Sequence, residues 1–201
     1  MEDNKRMKKA AGILESLFKL ISGVLCAMVI VCGIFAVLVL VFGEKIFVPD
    51  SVTLDIGFLK FYLREEYRFI TDDVKLYAMV SLVTAAGLYG IISYVCVLLC
   101  RILSPMKDGR PFEAGMAKDL RKIAWVVLGG GLYSEVLKIA EHFLMIRAYP
   151  MEEIFDSKAI YMMKHTIDVD LSFVLVAAAF FLLSYIFSYG QALQRESDET
   201  L

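Results

Sequence analysis

The sequence predicts an all-α membrane protein: four transmembrane helices and a small extracytoplasmic cap with room for short β-strands. Three observations carry this expectation. Of the 201 residues, 59% are hydrophobic and 22% charged, against about 45–50% apolar in an average soluble domain. The excess lies in uncharged runs long enough to cross a bilayer. A net charge of −2 excludes a global basic field for nucleic acid, and the lack of low-complexity tracts excludes a disordered or fibrous chain.

Taken in order, residues 20–43, 76–100 and 171–194 contain no Asp, Glu, Lys or Arg. Each can cross ~30 Å of hydrocarbon at ~1.5 Å per residue. None has the polar stripe of a buried helix in a soluble protein. A further run, 123–146, carries Glu135, Lys138, Glu141 and His142. A central charge costs about 2.5–3.5 kcal/mol, and a good apolar residue returns about 0.3–0.6. If Lys122 marks the inner surface, however, Glu135 lies ~19 Å and Glu141 ~28 Å along the helix, toward the outer interface. The reading is a single integral membrane domain over 1–201, with spans at 20–43, 76–100, 123–146 and 171–190; three spans is the alternative.

Orientation follows from Lys and Arg near the span ends. With the N-terminus inside, twelve lie on the cytoplasmic side and eight outside, with Lys138 within the membrane. Both termini are therefore expected in the cytoplasm. The first apolar run exceeds the ~7–15 residues of a signal-peptide core and reads as a signal anchor. Ahead of it Met7, Ala10, Leu14, Leu17 and Phe18 recur at helical spacing, the pattern of an interfacial amphipathic helix. Trp125 and Tyr189 fit an inner aromatic belt, and Tyr77 an outer one.

The first outer segment, 44–75, alternates Val52, Leu54, Ile56 and Phe58 with polar or small residues, which predicts a short strand or hairpin. A charged helical stretch is expected over 64–73. The second outer segment, 147–170, ends in Thr166, Ile167, Asp168, Val169 and Asp170, a second strand-like piece able to pair with the first. In the cytoplasmic connector, Ser104-Pro105 is expected to break the second span. Phe112, Met116 and Leu120 then recur at four-residue spacing, predicting a short interfacial helix. Gly109, Arg110, Pro111 and Phe112 form an elbow that is either structural or a docking point for a cytoplasmic partner.

At these residues the chain resembles a bacterial family of small four-span membrane proteins, domain of unknown function 2975. The likeness rests on Gly109-Arg110-Pro111-Phe112 followed by Leu120-Arg121-Lys122-Ile123-Ala124. It rests more specifically on Tyr189-Gly190 and the tail Leu193-Gln194-Arg195-Glu196-Ser197-Asp198-Glu199-Thr200-Leu201. With matching span spacing it covers essentially the whole chain. It implies a bacterial cytoplasmic-membrane protein and, since such proteins are often encoded beside a small helix-turn-helix regulator, a cytoplasmic partner of that kind.

Glu135, Lys138, Glu141 and His142 share one helix face. Ionisable residues inside a membrane are functional candidates by default. They read as an intrahelical ion pair plus interfacial residues, as an ion or proton pathway, or as a binding face for an external ligand. Gly129, Gly130 and Gly131 on the same helix allow close helix packing or a hinge, with Ala85, Ala86, Gly87 and Gly90 as small facing residues. Cys26, Cys32, Cys96 and Cys100 all lie within spans and read as apolar filler. The spacing suits neither a metal site nor any cofactor. Catalytic signatures are lacking, and Ser134 with Lys138 is a coincidence of spacing. The expectation is a non-enzymatic regulatory or sensory component that sits in the lipid bilayer, binds a protein partner and makes no direct contact with nucleic acid. An ion pathway or export accessory, or a structural assembly subunit, are the alternatives, and a homo-oligomer is compatible with each.

Overall fold

The structure is a computed structural model and describes residues 2–46, 53–56, 59–62, 71–107, 115–148 and 169–199. The element order is α1 (Glu2–Ile46), β1 (Thr53–Ile56), β2 (Leu59–Tyr62), α2 (Thr71–Lys107), α3 (Met116–Ala148) and α4 (Ser172–Glu199). Among the described residues four helices are long and apolar enough to cross a membrane, α3 included. The chain divides into two compact units. The first holds Met1–Ile30, Gly87–Glu135 and Asp170–Leu201; the second holds Val31–Ala86 and Val136–Val169.

Each helix outruns its uncharged stretch. α1 is continuous for 45 residues, because apolar side chains and internally satisfied backbone groups are what a bilayer selects. The inward side of its N-terminal part differs from the expected stripe: Ala11 and Glu15 are buried, while Leu14 and Leu17 are exposed. The expected apolar face is thus the one available to lipid. The buried side carries a carboxylate that two lysines neutralise.

α2 starts with Asp72 and Asp73 and ends on Lys107, charges that suit the two ends of the helix dipole. The expected break at Ser104-Pro105 does not occur, since Pro105 lies inside the helix. A proline in the last turn forfeits one backbone bond, to the carbonyl four residues earlier. Met106 packs against the core and Lys107 pairs with Glu15, so the final turn is retained. α3 follows Gly115, whose φ of 111° is left-handed and favours glycine. Asp119 N donates to Gly115 O at 2.9 Å across the first turn.

The first unit is built on Leu98 and Ile102 of α2 against Met116, Leu120 and Ile123 of α3, with Phe180 and Phe187 of α4 packed alongside. Met116 and Leu120 therefore belong to the bundle core, not to a separate interfacial helix. Their row simply continues through Ile123 and Val127 at helical spacing. Phe112 and residues 108–114 lie outside the described residues. α4 begins where Asp170 Oδ1 accepts Ser172 N at 2.8 Å, a side-chain cap on otherwise unpaired donors. Further along, Ser184, 1% exposed, donates to Ala117 O at 2.8 Å and ties α4 to the start of α3. Trp125 meets Phe181 edge-on at 5.4 Å across the same helix pair. Ser184→Ala should cost about 0.6 kcal/mol and at most about 1.7, the range of such bonds in membranes, read as an earlier loss of Trp125 fluorescence signal in an SDS titration.

In the second unit β1 and β2 pair antiparallel, with Thr53 opposite Tyr62 and Ile56 opposite Leu59. The partner of the first strand is thus its sequence neighbour, as local pairing favours. Of the strand-like piece expected at 166–170, Val169 and Asp170 form no strand, and 166–168 lie outside the described residues. The charged helical stretch expected over 64–73 is described only from Thr71, where α2 starts. Arg147 Nε donates to the Asp73 carboxylate at 3.1 Å, joining the end of α3 to the start of α2.

Candidate functional site

Helical spacing places Glu15, Lys19, Ser22 and Cys26 on one side of α1, in steps of four, three and four. The same rule groups Ser93, Cys100 and Lys107 on α2. The two rows meet as a polar seam within the first unit. Lys19 Nζ reaches Glu15 Oε1 at 2.6 Å, and Lys107 Nζ lies 3.5 Å from Glu15 Oε2. The carboxylate side chain is only 10% exposed, whereas the lysines are 66% and 55% exposed. The ammonium groups stay wet while the anion between them is shielded, the usual arrangement for long basic side chains at an interface. Cys100 Sγ donates to Glu15 O at 3.6 Å.

Further along the seam the hydroxyls of Ser22 and Ser93 are 2.8 Å apart. Ser93 Oγ also reaches Ser22 O at 3.3 Å, and Ser22 Oγ reaches Ser93 O at 3.5 Å. Cys26 Sγ lies 3.2 Å from Ser93 Oγ. Cys26 and Cys100 thus make weak polar contacts, as a packed thiol can, and all four cysteines are free thiols. Chemically the seam is a helix clamp: small hydroxyls allow close approach and satisfy one another in lipid. Among the described residues no three His, Cys, Asp or Glu side chains come together to hold a metal ion.

The expected charged face of α3 falls in two parts. Glu135 belongs to the first unit, where its Oε2 accepts Asp170 N at 3.4 Å. It thereby supports the chain just before α4. Lys138, Glu141 and His142 belong to the second unit, where the His142 ring meets Phe143 edge-on at 6.2 Å. Glu141 and His142 are half-buried and Lys138 is exposed.

Gly129, Gly130 and Gly131 differ from one another. A Cβ on Gly130 would come 2.9 Å from Ile91 Cγ2 of α2, and one on Gly131 would fall 2.6 Å from Phe173 Cβ of α4 and into its ring. A Cβ on Gly129 would meet nothing within 4 Å. Gly87 receives the ring of Tyr133. Each of these close contacts sets a glycine opposite a large side chain, not glycine against glycine as the small residues of the second span suggested. Gly109, Arg110, Pro111 and Phe112 lie outside the described residues.

No family model matches this chain, and no curated protein and no solved structure is similar to it.

Glu15 is the functional candidate that sequence reading passed over. Its signal was present: Glu15 and Lys19 at i, i+4 in the favourable order, interrupting the apolar pattern just ahead of the first span. The contribution of Lys107, 92 positions away, has no local signature.

Proposed function

We propose that the chain is a multi-pass protein of the bacterial cytoplasmic membrane, with both termini inside, that acts without catalysis as a regulatory or sensory component and binds a protein partner. The observation that supports this best is the distribution of charge in the first unit. Lys19, Arg101, Lys107, Lys118, Arg121 and Arg195 are all exposed at the end where α1 and α3 begin and α2 and α4 finish. Arg121 is also held 5.8 Å over the Tyr185 ring. Such a basic end matches the charge bias that keeps a segment in the cytoplasm and offers a surface to a soluble partner. The resemblance noted in the sequence supplies the partner class, a small helix-turn-helix regulator, with Arg110, Phe112 and the tail after Gly190 as its contacts. On the other side the hairpin β1–β2 contributes to an extracytoplasmic cap, and the charged residues of α3 receive the outer cue.

A transport reading asks for a polar route along the bundle. The aliphatic cluster of Leu98, Ile102, Leu120 and Ile123 weighs against it. Crosslinking pull-down from native membranes tests the proposal, comparing the wild type with Arg110→Ala/Phe112→Ala. The expected result is a small DNA-binding protein captured by the wild type alone. Absence of any soluble partner in both samples overturns the regulator reading, and ion flux lost on Glu135→Gln would replace it with transport.

A further inference from the structure

The seam between α1 and α2 has two flanks, and protein covers only one of them. The contacts Ser22–Ser93 and Glu15–Cys100 show that the two helices run antiparallel there. At ~100° per residue, Lys19 and Gly23 stand about 40–80° past Glu15 around α1, and Val97 and Arg101 stand about 40–80° past Ser93 around α2. In two right-handed helices of opposite direction, these offsets fall on one and the same flank. All four residues are exposed, and a Cβ on Gly23 or Gly90 would meet nothing within 4 Å. About 60–80° the other way, Leu25 and Leu103 are half-buried and Cys96 is buried. A groove therefore lies open along one side of the seam.

Its mouth is basic. Lys19 is the first charge beyond the uncharged run 20–43, and Arg101 the first beyond 76–100, so both stand where hydrocarbon ends. The headgroup layer adds ~5–8 Å to each side of the core, and Glu15 lies ~7 Å beyond the start of its run. Lys19, Arg101 and Lys107 thus meet at headgroup depth. Glu15 bonds Lys19 at 2.6 Å and lies 3.5 Å from Lys107, but one carboxylate cannot neutralise both, and each ammonium group has three donors. No carboxylate among the described residues pairs with Arg101. Basic pockets between spans are suited to anionic headgroups.

We propose that this flank of the α1–α2 seam binds one anionic phospholipid, its phosphate held by Lys19, Arg101 and Lys107 and an acyl chain laid along Val97, Gly23 and Gly90. Glu15 acts as a positioning residue. It draws the two lysines together beforehand, so less side-chain freedom is lost when the phosphate arrives. A zwitterionic lipid carries its own cation to the same place and gains less. The site needs only that the helices cross a membrane; it leaves Lys118, Arg121 and Arg195 to the soluble partner of the proposed function and does not rest on that reading.

Native mass spectrometry of the full chain in non-ionic detergent tests it, with phosphatidylglycerol, phosphatidylcholine and inorganic phosphate as separate probes. The wild type should bind its first phosphatidylglycerol about tenfold more tightly than phosphatidylcholine. Lys19→Gln/Arg101→Gln should weaken that binding about 25-fold, about fivefold for each basic residue lost. Lys118→Gln/Arg195→Gln removes two exposed cations of the same end and should change it less than about threefold. Equal losses in the two pairs overturn the site, since a diffuse basic field would act that way. Equal affinity for the two lipids overturns it, and so does inorganic phosphate bound as tightly as phosphatidylglycerol, because the groove would then contribute nothing. Arg101→Gln alone breaks no bond among the described residues and should cost about fivefold, which keeps the test decisive if Lys19→Gln disturbs the fold.

Discussion

Gly131→Ala should destabilise the bundle by about 1–3 kcal/mol, the usual cost of overpacking, while Gly129→Ala is neutral or stabilising by about 0.5–1 kcal/mol. The two positions are separated by 200° on the helix and meet different surroundings. The new methyl at 131 would lie 2.6 Å from Phe173 Cβ. That atom is fixed to the α4 backbone and cannot swing aside as a side-chain tip can, so α4 itself must move. At 129 nothing is within 4 Å, and the gain in helix propensity is all that remains. Gly130→Ala should fall between them, because the obstructing atom is Ile91 Cγ2, on a side chain with rotamer freedom. The sequence has one tryptophan, Trp125, stacked edge-on against Phe181. Its fluorescence during SDS titration reports the α3–α4 interface directly. Equal effects at 129 and 131 would contradict the packing described.

Leu98→Ala should cost about 1–3 kcal/mol, less than the 2–5 typical of water-soluble cores. In water such a change loses both the transfer energy of the deleted methyl groups and the packing around them. In a bilayer the reference environment is itself hydrocarbon, so the transfer part largely vanishes and the cavity part persists. Leu98 is 0% exposed and touches the α3 residues of the central cluster, so the cavity would have little room to collapse. Leu182, 62% exposed on α4, is the matched control and should tolerate alanine within about 0.5 kcal/mol. A large effect at 182 would instead mark that face as a contact between copies of the chain, detectable as a concentration-dependent midpoint.

The spans were legible because a bilayer reads composition over some twenty residues, and gaps between charges record that directly. Even 123–146 was recoverable once its charges were placed by depth. Helix ends were less so. Local sterics at Pro105 predict a break, yet Met106 and Lys107 find partners on other helices and retain the last turn. Glu15 was overlooked for the same reason: its pairing with Lys107 joins residues with no sequence relation. The strand expected near residue 52 has its partner three residues beyond its own end, where the pattern Leu59-Lys60-Phe61-Tyr62-Leu63 no longer alternates cleanly. Gly129, Gly130 and Gly131 look alike in the sequence and differ only through what stands opposite each.

The hydroxyl pair Ser22–Ser93 bears on how the protein is made. Ser22 enters the bilayer while Ser93 has yet to be synthesised, so it begins life bonded to its own helix, as Ser16 is to Gly12 O at 3.0 Å. When α2 arrives, the hydroxyl exchanges that local acceptor for a reciprocal one on the new helix. Such an exchange is worth about 0.6 kcal/mol on average, comparable with thermal energy. A latch of that strength holds only when neighbouring contacts are also in register, so α1 and α2 can close, open and close again until the pairing is correct.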